Sequence, residues 1–299
     1  MKRIGTVFSR VALAASMLAF SLPGFAAVER WKLNMTEGVT DTSKQVYDLH
    51  MTVLWICIVI GILVFGAMAV AMFRFRKSRG AVAAQWSHND AAEFVLVIVP
   101  VVILVAMAWP ATKVLMAMAD TRDSEMTIEV TGYQWKWGYR YVGSDVEFIS
   151  SLARDSDDTR QLGSNLDPAN VPNYLLSVDR PLVIPADTKV RFVITAADVI
   201  HAWWVPALGW KQDAVPGVIN DTWTRVHTPG VYRGQCAELC GKDHGFMPIV
   251  VEVKPKADFE RWLAEQQAAA QPQIAAPAAA PADAPAVEPA AAAAAPVQG

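Results

Sequence analysis

Two stretches of this chain are too long and too apolar to belong to an ordinary soluble domain. Residues 50–73 and 92–116 are nearly free of charge, and each is long enough to cross the ~30 Å of bilayer hydrocarbon. Inside lipid every backbone polar group must be satisfied internally, so only helices and closed barrels can span it. Runs of this length are helices. Pro100 and Pro110 lie within the second run, where a membrane helix tolerates proline better than a soluble one does. Helices so close in sequence form a hairpin. Arg74, Arg76, Lys77 and Arg79 follow the first run directly and mark the connecting loop as cytoplasmic. Residues 1–26 read as a secretory signal: Lys2, Arg3 and Arg10, an apolar run over 11–22, then Gly24, Phe25 and Ala26 before the expected cleavage. Both signals put the mature N-terminus and the long C-terminal part outside the cytoplasm.

The hairpin and the segment before it occupy 27–118. Residues 119–267 change in character, becoming soluble and rich in β-formers. Strands are predicted over 126–132, 134–141, 174–179, 188–196, 222–227, 230–234 and 249–254, which suggests a sandwich or barrel. The chain is thus an α+β membrane protein. Residues 142–173 are polar and irregular, with Asp145, Glu147, Asp155, Asp157, Asp158 and Asp167 outnumbering the basic residues. They form either a solvated loop or a docking surface for a basic partner. An amphipathic helix over 257–267 closes the domain. The Ala/Pro-rich tail, 268–299, is expected to be disordered. A net charge of −3 gives no reason to expect nucleic acid.

The chemistry concentrates in 235-QCAELCGKDHGFMP-248, where Cys236, Cys240, His244 and Met247 follow at steps of four, four and three. Those steps would suit one face of a helix, but Gly241, Gly245 and Pro248 do not. The flanks, 230–234 and 249–255, read as strands. A loop between strands that carries such residues is a site. Two thiols, an imidazole and a thioether are soft or borderline ligands, suited to copper rather than magnesium or calcium. Cys57 lies in the first apolar run and is expected to be inert packing. A disulfide between Cys236 and Cys240 is the ordinary expectation for an exported protein. A redox pair is another, although that motif has two intervening residues where this has three. His244 and Met247 tilt the choice toward thiolates held by metal.

Of five histidines, His50 and His88 sit at membrane edges and His227 ends a strand, so structural or solvated roles suffice. His201 lies in 198-DVIHAWWVPALGWKQDAVPG-217. It is either a satisfied core residue among tryptophans or a ligand brought from a second loop. Glu93 stands at the cytoplasmic edge of the second run, as a solvated boundary residue or part of an ion route.

With 132-GYQWKWGYRY-141, 198-DVIHAWWVP-206, 213-DAVPG-217 and the Cys-x-x-x-Cys-x-x-x-His-x-x-Met loop together, the chain resembles subunit II of haem–copper cytochrome c oxidases, of bacterial type. The resemblance covers nearly the whole mature chain. It implies a two-helix transmembrane hairpin carrying a cupredoxin-like β-sandwich on the periplasmic side of the bacterial inner membrane. It also implies two copper ions in a dinuclear CuA centre. Cys236 and Cys240 would be bridging thiolates, His201 and His244 would each ligate one copper, and Met247 would be a weak axial ligand opposite the Glu238 carbonyl. The Glu238 side chain would reach a magnesium ion shared with catalytic subunit I. Trp135 would receive electrons from cytochrome c, and Glu93 would stand at the mouth of a proton channel in subunit I.

The implied activity is electron transfer from cytochrome c to haem in subunit I, where oxygen reduction and most proton pumping occur. Tyr133, Lys136, Arg140 and Ala197 depart from commoner residues of that family, so the acids at 145–158 take over as the expected docking face. A membrane-anchored copper metallochaperone is the main alternative, but it needs no counterpart of Met247 or Trp135. A copper-free quinol-oxidase subunit and a disulfide-bonded structural domain are the others.

Overall fold

The computed structural model describes residues 33–85 and 87–270. The signal sequence expected over 1–26 and residues 271–299 of the expected tail lie outside them. The chain divides into two compact units, one running to Met118 and including Pro206–Trp210, the other taking up Ala119–Val205 and the chain from Lys211.

The first unit holds two long helices, α1 (Asp41–Arg74) and α2 (Asp90–Ala119). α1 begins well before the apolar run because Thr40 and Ser43 form a capping box. The Thr40 hydroxyl accepts the Ser43 N–H and the Ser43 hydroxyl accepts the Thr40 N–H, both at 2.9 Å, satisfying two donors that a helix start leaves orphaned. Leu63, Phe65, Val102, Leu104 and Trp109 are exposed along the apolar parts of the helices. A helix that is apolar all round with no covered face has lipid, rather than water, as its compatible solvent. Cys57 is exposed on α1 within this chain. α2 continues through Pro100 and Pro110.

The second unit is a β-sandwich of two five-stranded sheets. Its strands are β1 (Met126–Tyr133), β2 (Lys136–Tyr141), β3 (Glu147–Ser150), β4 (Leu182–Pro185), β5 (Val190–Ala196), β6 (His201–Val205), β7 (Trp210–Ala214), β8 (Asn220–Thr224), β9 (Gly230–Cys236) and β10 (Pro248–Lys254). One sheet runs β3-β2-β1-β5-β8 and the other β4-β10-β9-β6-β7. Most neighbours are antiparallel, but β1–β5 and β10–β4 are parallel, the mixture a cupredoxin-like sandwich carries. The alternation read in the sequence is real: Ile128 and Val130 of β1, and Val190, Phe192 and Ile194 of β5, are buried while their neighbours are partly exposed.

The two sheets are fastened by large aromatics. The rings of Phe192 and Trp203 lie 5.4 Å apart, and the Trp203 indole N–H donates to the Tyr139 hydroxyl at 3.3 Å. The Tyr141 hydroxyl donates to the Val183 carbonyl at 2.8 Å and accepts the Val183 N–H at 3.1 Å. A short helix, α3 (Arg154–Arg160), follows β3, and α4 (Lys256–Ala270) follows β10. Phe259 and Trp262 of α4 pack on Tyr141, at ring separations of 6.5 and 5.5 Å.

The structure corrects several sequence expectations. Residues 174–179 form a turn rather than a strand. Asn173 and Leu175 have positive φ, Leu176 donates its N–H to the Asn173 carbonyl, and Val178 alone makes an isolated bridge with Leu152. The segment 142–173 is not irregular throughout, since it holds β3 and α3. In α3, Asp155 and Asp157 occupy the first turn and Arg160 the last, as the helix dipole favours. The C-terminal helix runs three residues past its expected end because Ala268, Ala269 and Ala270 are strong helix formers.

Candidate metal centre

β9 delivers Cys236 at its very end, and the chain then leaves the sheet to return as β10 at Pro248. The excursion is closed by the Cys236 N–H donating to the Met247 carbonyl at 3.0 Å, so Cys236 and Met247 stand side by side. β6 lies next to β9 with Trp203 opposite Cys236, and the Ala237 N–H donates to the Ala202 carbonyl at 3.0 Å. That pairing brings His201, the first residue of β6, onto the same spot. His201 is therefore on a strand, not on the loop that the sequence suggested.

The donor atoms converge. Cys236 Sγ and Cys240 Sγ are unbonded, 3.9 Å apart. His201 Nδ1 is 3.9 Å from Cys236 Sγ, His244 Nδ1 is 3.5 Å from Cys240 Sγ, and Met247 Sδ is 3.9 Å from Cys240 Sγ. The Glu238 carbonyl oxygen lies 3.4 Å from Cys236 Sγ, and Glu238 itself is exposed. His201, Cys236 and Cys240 are buried, and their ligand atoms fall within 4.8 Å of one another. Buried soft donors at such spacing could hold a metal ion, and the chemistry of the set suits copper.

The donors do not share one protonation tendency, and metal binding requires thiolates and neutral imidazoles. Burial pushes the Cys236 thiol up, but its contact with His201 and the backbone around Glu238 outweigh this and bring it down to about 7. Burial and the neighbouring Cys236 charge push Cys240 up to about 12. Burial disfavours the charged form of His201, yet its contacts with Cys236 and Asp198 raise its pKa overall. His201 Nε2 is 2.9 Å from Asp198 Oδ1. A carboxylate can only accept, so Nε2 carries the proton and Nδ1 presents its lone pair toward the sulfurs.

Asp198 is the residue that sequence reasoning passed over, although its place three positions before His201 was a usable signal. Its other oxygen accepts the Gln134 N–H at 2.7 Å. Gln134 Nε2 and Trp135 Nε1 both donate to the Cys240 carbonyl, at 2.9 and 3.2 Å. Trp135 is thereby pinned against the backbone of the site, half-buried. Gly241 has φ of +124° and would drive a side chain to 3.0 Å from both Gln134 and Trp135, so glycine is required at this bend. Glu93 lies in the other unit, in the first turn of α2. Its carboxylate lies 2.9 Å from His88 Nδ1, and His88 Nε2 lies 2.7 Å from the Asp90 carboxylate.

Residues 126–254 match the family described as cytochrome C oxidase subunit II, periplasmic domain, and residues 28–114 match its transmembrane domain. The chain belongs to the cytochrome c oxidase subunit II family. It is 40% identical over 251 residues to the probable cytochrome c oxidase subunit 2 of Rickettsia felis, spanning 82% of this chain and 76% of that one. It is 37% identical over 245 residues to the mitochondrial cytochrome c oxidase subunit 2 of Glycine max, spanning 80% of this chain and 60% of that one. Among solved structures, the periplasmic domain of subunit II of cytochrome oxidase of Bradyrhizobium japonicum is 38% identical, covers 50% of this chain and 99% of its own, and superposes with a TM-score of 0.44. As a subunit II, the chain is a membrane protein and a component of an oxidoreductase complex with other oxidase subunits.

One packing detail of this subunit II yields a prediction. Gly132, on β1, lies so close to His201 that an added Cβ would sit 2.8 Å from the imidazole Cδ2. Gly132→Ala should displace the ring and cut metal affinity about tenfold or more, since misplacing even outer-shell groups costs ~10–100-fold. A competition titration against a chelator measures it.

Proposed function

We propose that the chain holds the CuA centre of its oxidase, accepts electrons one at a time from cytochrome c and passes them to haem in catalytic subunit I. The observation that carries this reading is the convergence of two thiols, two imidazoles, a thioether and a carbonyl from β6 and the β9–β10 connection. Cys236, Cys240, His201, His244, Met247 and the Glu238 carbonyl would hold the two copper ions. When bound, such a pair spreads one electron over both metals, so little rearrangement accompanies its reduction. The protein's own contribution is rigidity. β6, β9 and β10 are paired strands of one sheet, Asp198 locks the His201 tautomer, and Trp137 closes edge-on over His201 at 5.9 Å, excluding water. The metallochaperone alternative is disfavoured by family membership and has no use for Met247 or for Trp135 at the Cys240 carbonyl.

Metal analysis and spectroscopy of the chain in its native complex test the proposal. Two coppers per chain and a mixed-valence spectrum are expected; one exchangeable copper, or none, overturns it.

The remaining assignments belong to the same reading. The positive cluster Arg74, Arg76, Lys77 and Arg79 places the α1–α2 loop in the cytoplasm, which puts the β-sandwich on the periplasmic side. The Glu238 side chain would contribute to a magnesium site completed by subunit I. Trp135 is the point where electrons arrive, because its indole touches the Cys240 backbone and links the surface to the site. Trp135→Ala should slow oxidation of cytochrome c about tenfold or more while copper content stays at two per chain. Stopped-flow measurement of the first electron transfer decides, and an unchanged rate removes Trp135 from the path. Glu93 delivers protons toward subunit I. Glu93→Ala should lower steady-state turnover severalfold and leave the copper spectrum untouched; unaltered proton-uptake kinetics would leave Glu93 a boundary residue paired with His88.

A further inference from the structure

α3 has a connection to the metal loop that its acidic surface conceals. Arg160, the last residue of α3, is held by Asp157, whose carboxylate accepts from Nε at 2.7 Å. Its guanidinium reaches across to the loop after Cys240. Nη1 lies 3.5 Å from Asp243 Oδ1, and the guanidinium carbon sits 4.3 Å from the centre of the Phe246 ring. The side chains of Arg160 and Asp243 are only 21% and 22% exposed, so this contact is partly shielded from solvent. Asp243 and Phe246 flank His244 in the single 3₁₀ turn His244–Phe246, and Met247 follows immediately. Asp243 stands at the N-cap of that turn, yet its carboxylate makes no capping hydrogen bond there. It is spent on Arg160 instead.

We propose that Arg160 is a positioning residue of the metal centre: gripping Asp243 by charge and Phe246 by stacking, it holds the turn that presents His244 and Met247. The inference rests on the metal-centre reading above. The physical basis is that the connection between Cys240 and Pro248 has few restraints of its own. Within the turn, the backbone supplies the Phe246 N–H to the Asp243 carbonyl at 2.9 Å and a longer His244 N–H to the Gly241 carbonyl at 3.3 Å. Gly241 and Gly245 in the same stretch add conformational freedom. A planar cation that stacks on a ring and pairs with a carboxylate fixes orientation as well as distance, which a lysine does less well. His244 is also only half-buried, unlike His201, so the turn, rather than the core, must hold it.

The test uses the full-length chain in detergent, loaded with copper. Arg160→Gln should speed copper release to a chelator about tenfold, the order expected for losing a part-buried cation–π contact with an ion pair. It should also alter the electron paramagnetic resonance hyperfine pattern. Arg160→Lys should fall between Arg160→Gln and the unchanged chain. Should Arg160→Gln fail to fold, Phe246→Leu and Asp243→Asn remove the stack and the ion pair separately, and each should speed release. Arg154→Gln is the control on the same helix, since the Arg154 side chain is 94% exposed and its ion pair among the described residues is with Asp158 at 3.8 Å; it should change nothing. Amide hydrogen exchange at residues 244–247 of the metal-free chain gives a readout that needs no copper, with faster exchange expected in Arg160→Gln. Wild-type release rates and wild-type exchange in Arg160→Gln, or an equal acceleration in Arg154→Gln, would overturn the assignment. Absence of copper from the unchanged chain would instead defeat the metal-centre reading, and the exchange experiment would still judge the clamp.

Discussion

Cys236→Ser is expected to abolish the proposed dinuclear centre and, with it, the proposed oxidation of cytochrome c by the complex. Cys236 occupies the middle of the donor cluster: its sulfur is within 3.9 Å of the Cys240 sulfur, the His201 imidazole and the Glu238 carbonyl. Serine keeps the shape but replaces a soft, readily ionised ligand with a hard hydroxyl that stays protonated. The remaining thiols offer no replacement: Cys240 is already a member of the donor set, and Cys57 belongs to α1 in the other unit. The loss should exceed ~100-fold in metal affinity, given that disturbing even supporting residues costs ~10–100-fold. Metal analysis should find fewer than two coppers per chain, and turnover should fall to background. A Cys236→Ser variant that kept both coppers and full turnover would show that the centre lies elsewhere.

The same thiols set the pH dependence of loading in the unchanged chain. Contact with His201 draws the Cys236 thiol down against its burial, while burial and the Cys236 charge push the Cys240 thiol up, and a thiol must lose its proton to become a ligand. Loading therefore releases protons, and apparent affinity falls as the pH falls, about tenfold per unit for each proton displaced.

Trp203→Ala should cost more stability than any surface substitution in the β unit. Trp203 is fully buried between the sheets, with its ring against Phe192 and its N–H on the Tyr139 hydroxyl. Truncation removes the transfer energy of a large aromatic and leaves a cavity, worth about 3–5 kcal/mol. It also takes a partner from Tyr139, a buried phenol whose pKa burial has raised well above the usual range. For a unit of this size the melting temperature should fall by about 10 °C or more, readable by calorimetry. Because Trp203 stands opposite Cys236 in the β6–β9 register, metal affinity should drop as well. A melting temperature within a degree or two of the unchanged chain would mean that the sheets are fastened by other contacts.

The two apolar helices were plain in the sequence because lipid imposes one requirement, a long uncharged run, that needs no partner to be read. β1, β5 and β10 were legible for a related reason: strands with one or both faces buried announce themselves by alternation or by β-branched runs. β3, β4, β6 and β7 were not. They are four or five residues long, and sequences such as Trp210–Ala214 are strands only because a neighbour offers an edge. Residues 174–179 show the converse. Their alternation suits a strand, but Asn173 and Leu175 turn the chain before pairing can begin.

At the site the same division holds. Ligand identity is a property of side-chain chemistry, so two thiols, an imidazole and a thioether at short spacing could be recognised from order alone. The sequence by itself thus determined what kind of atom the site offers and that the chain is anchored in lipid. What only the tertiary structure decided is which distant groups attend those atoms: His201 with Asp198 behind it, Gly132 leaving room for the ring, Gln134 and Trp135 on the Cys240 carbonyl, and Arg160 on the turn around His244. These depend on sheet register and on the path of the chain between strands, which is set by the sum of many weak long-range contacts rather than by any local pattern.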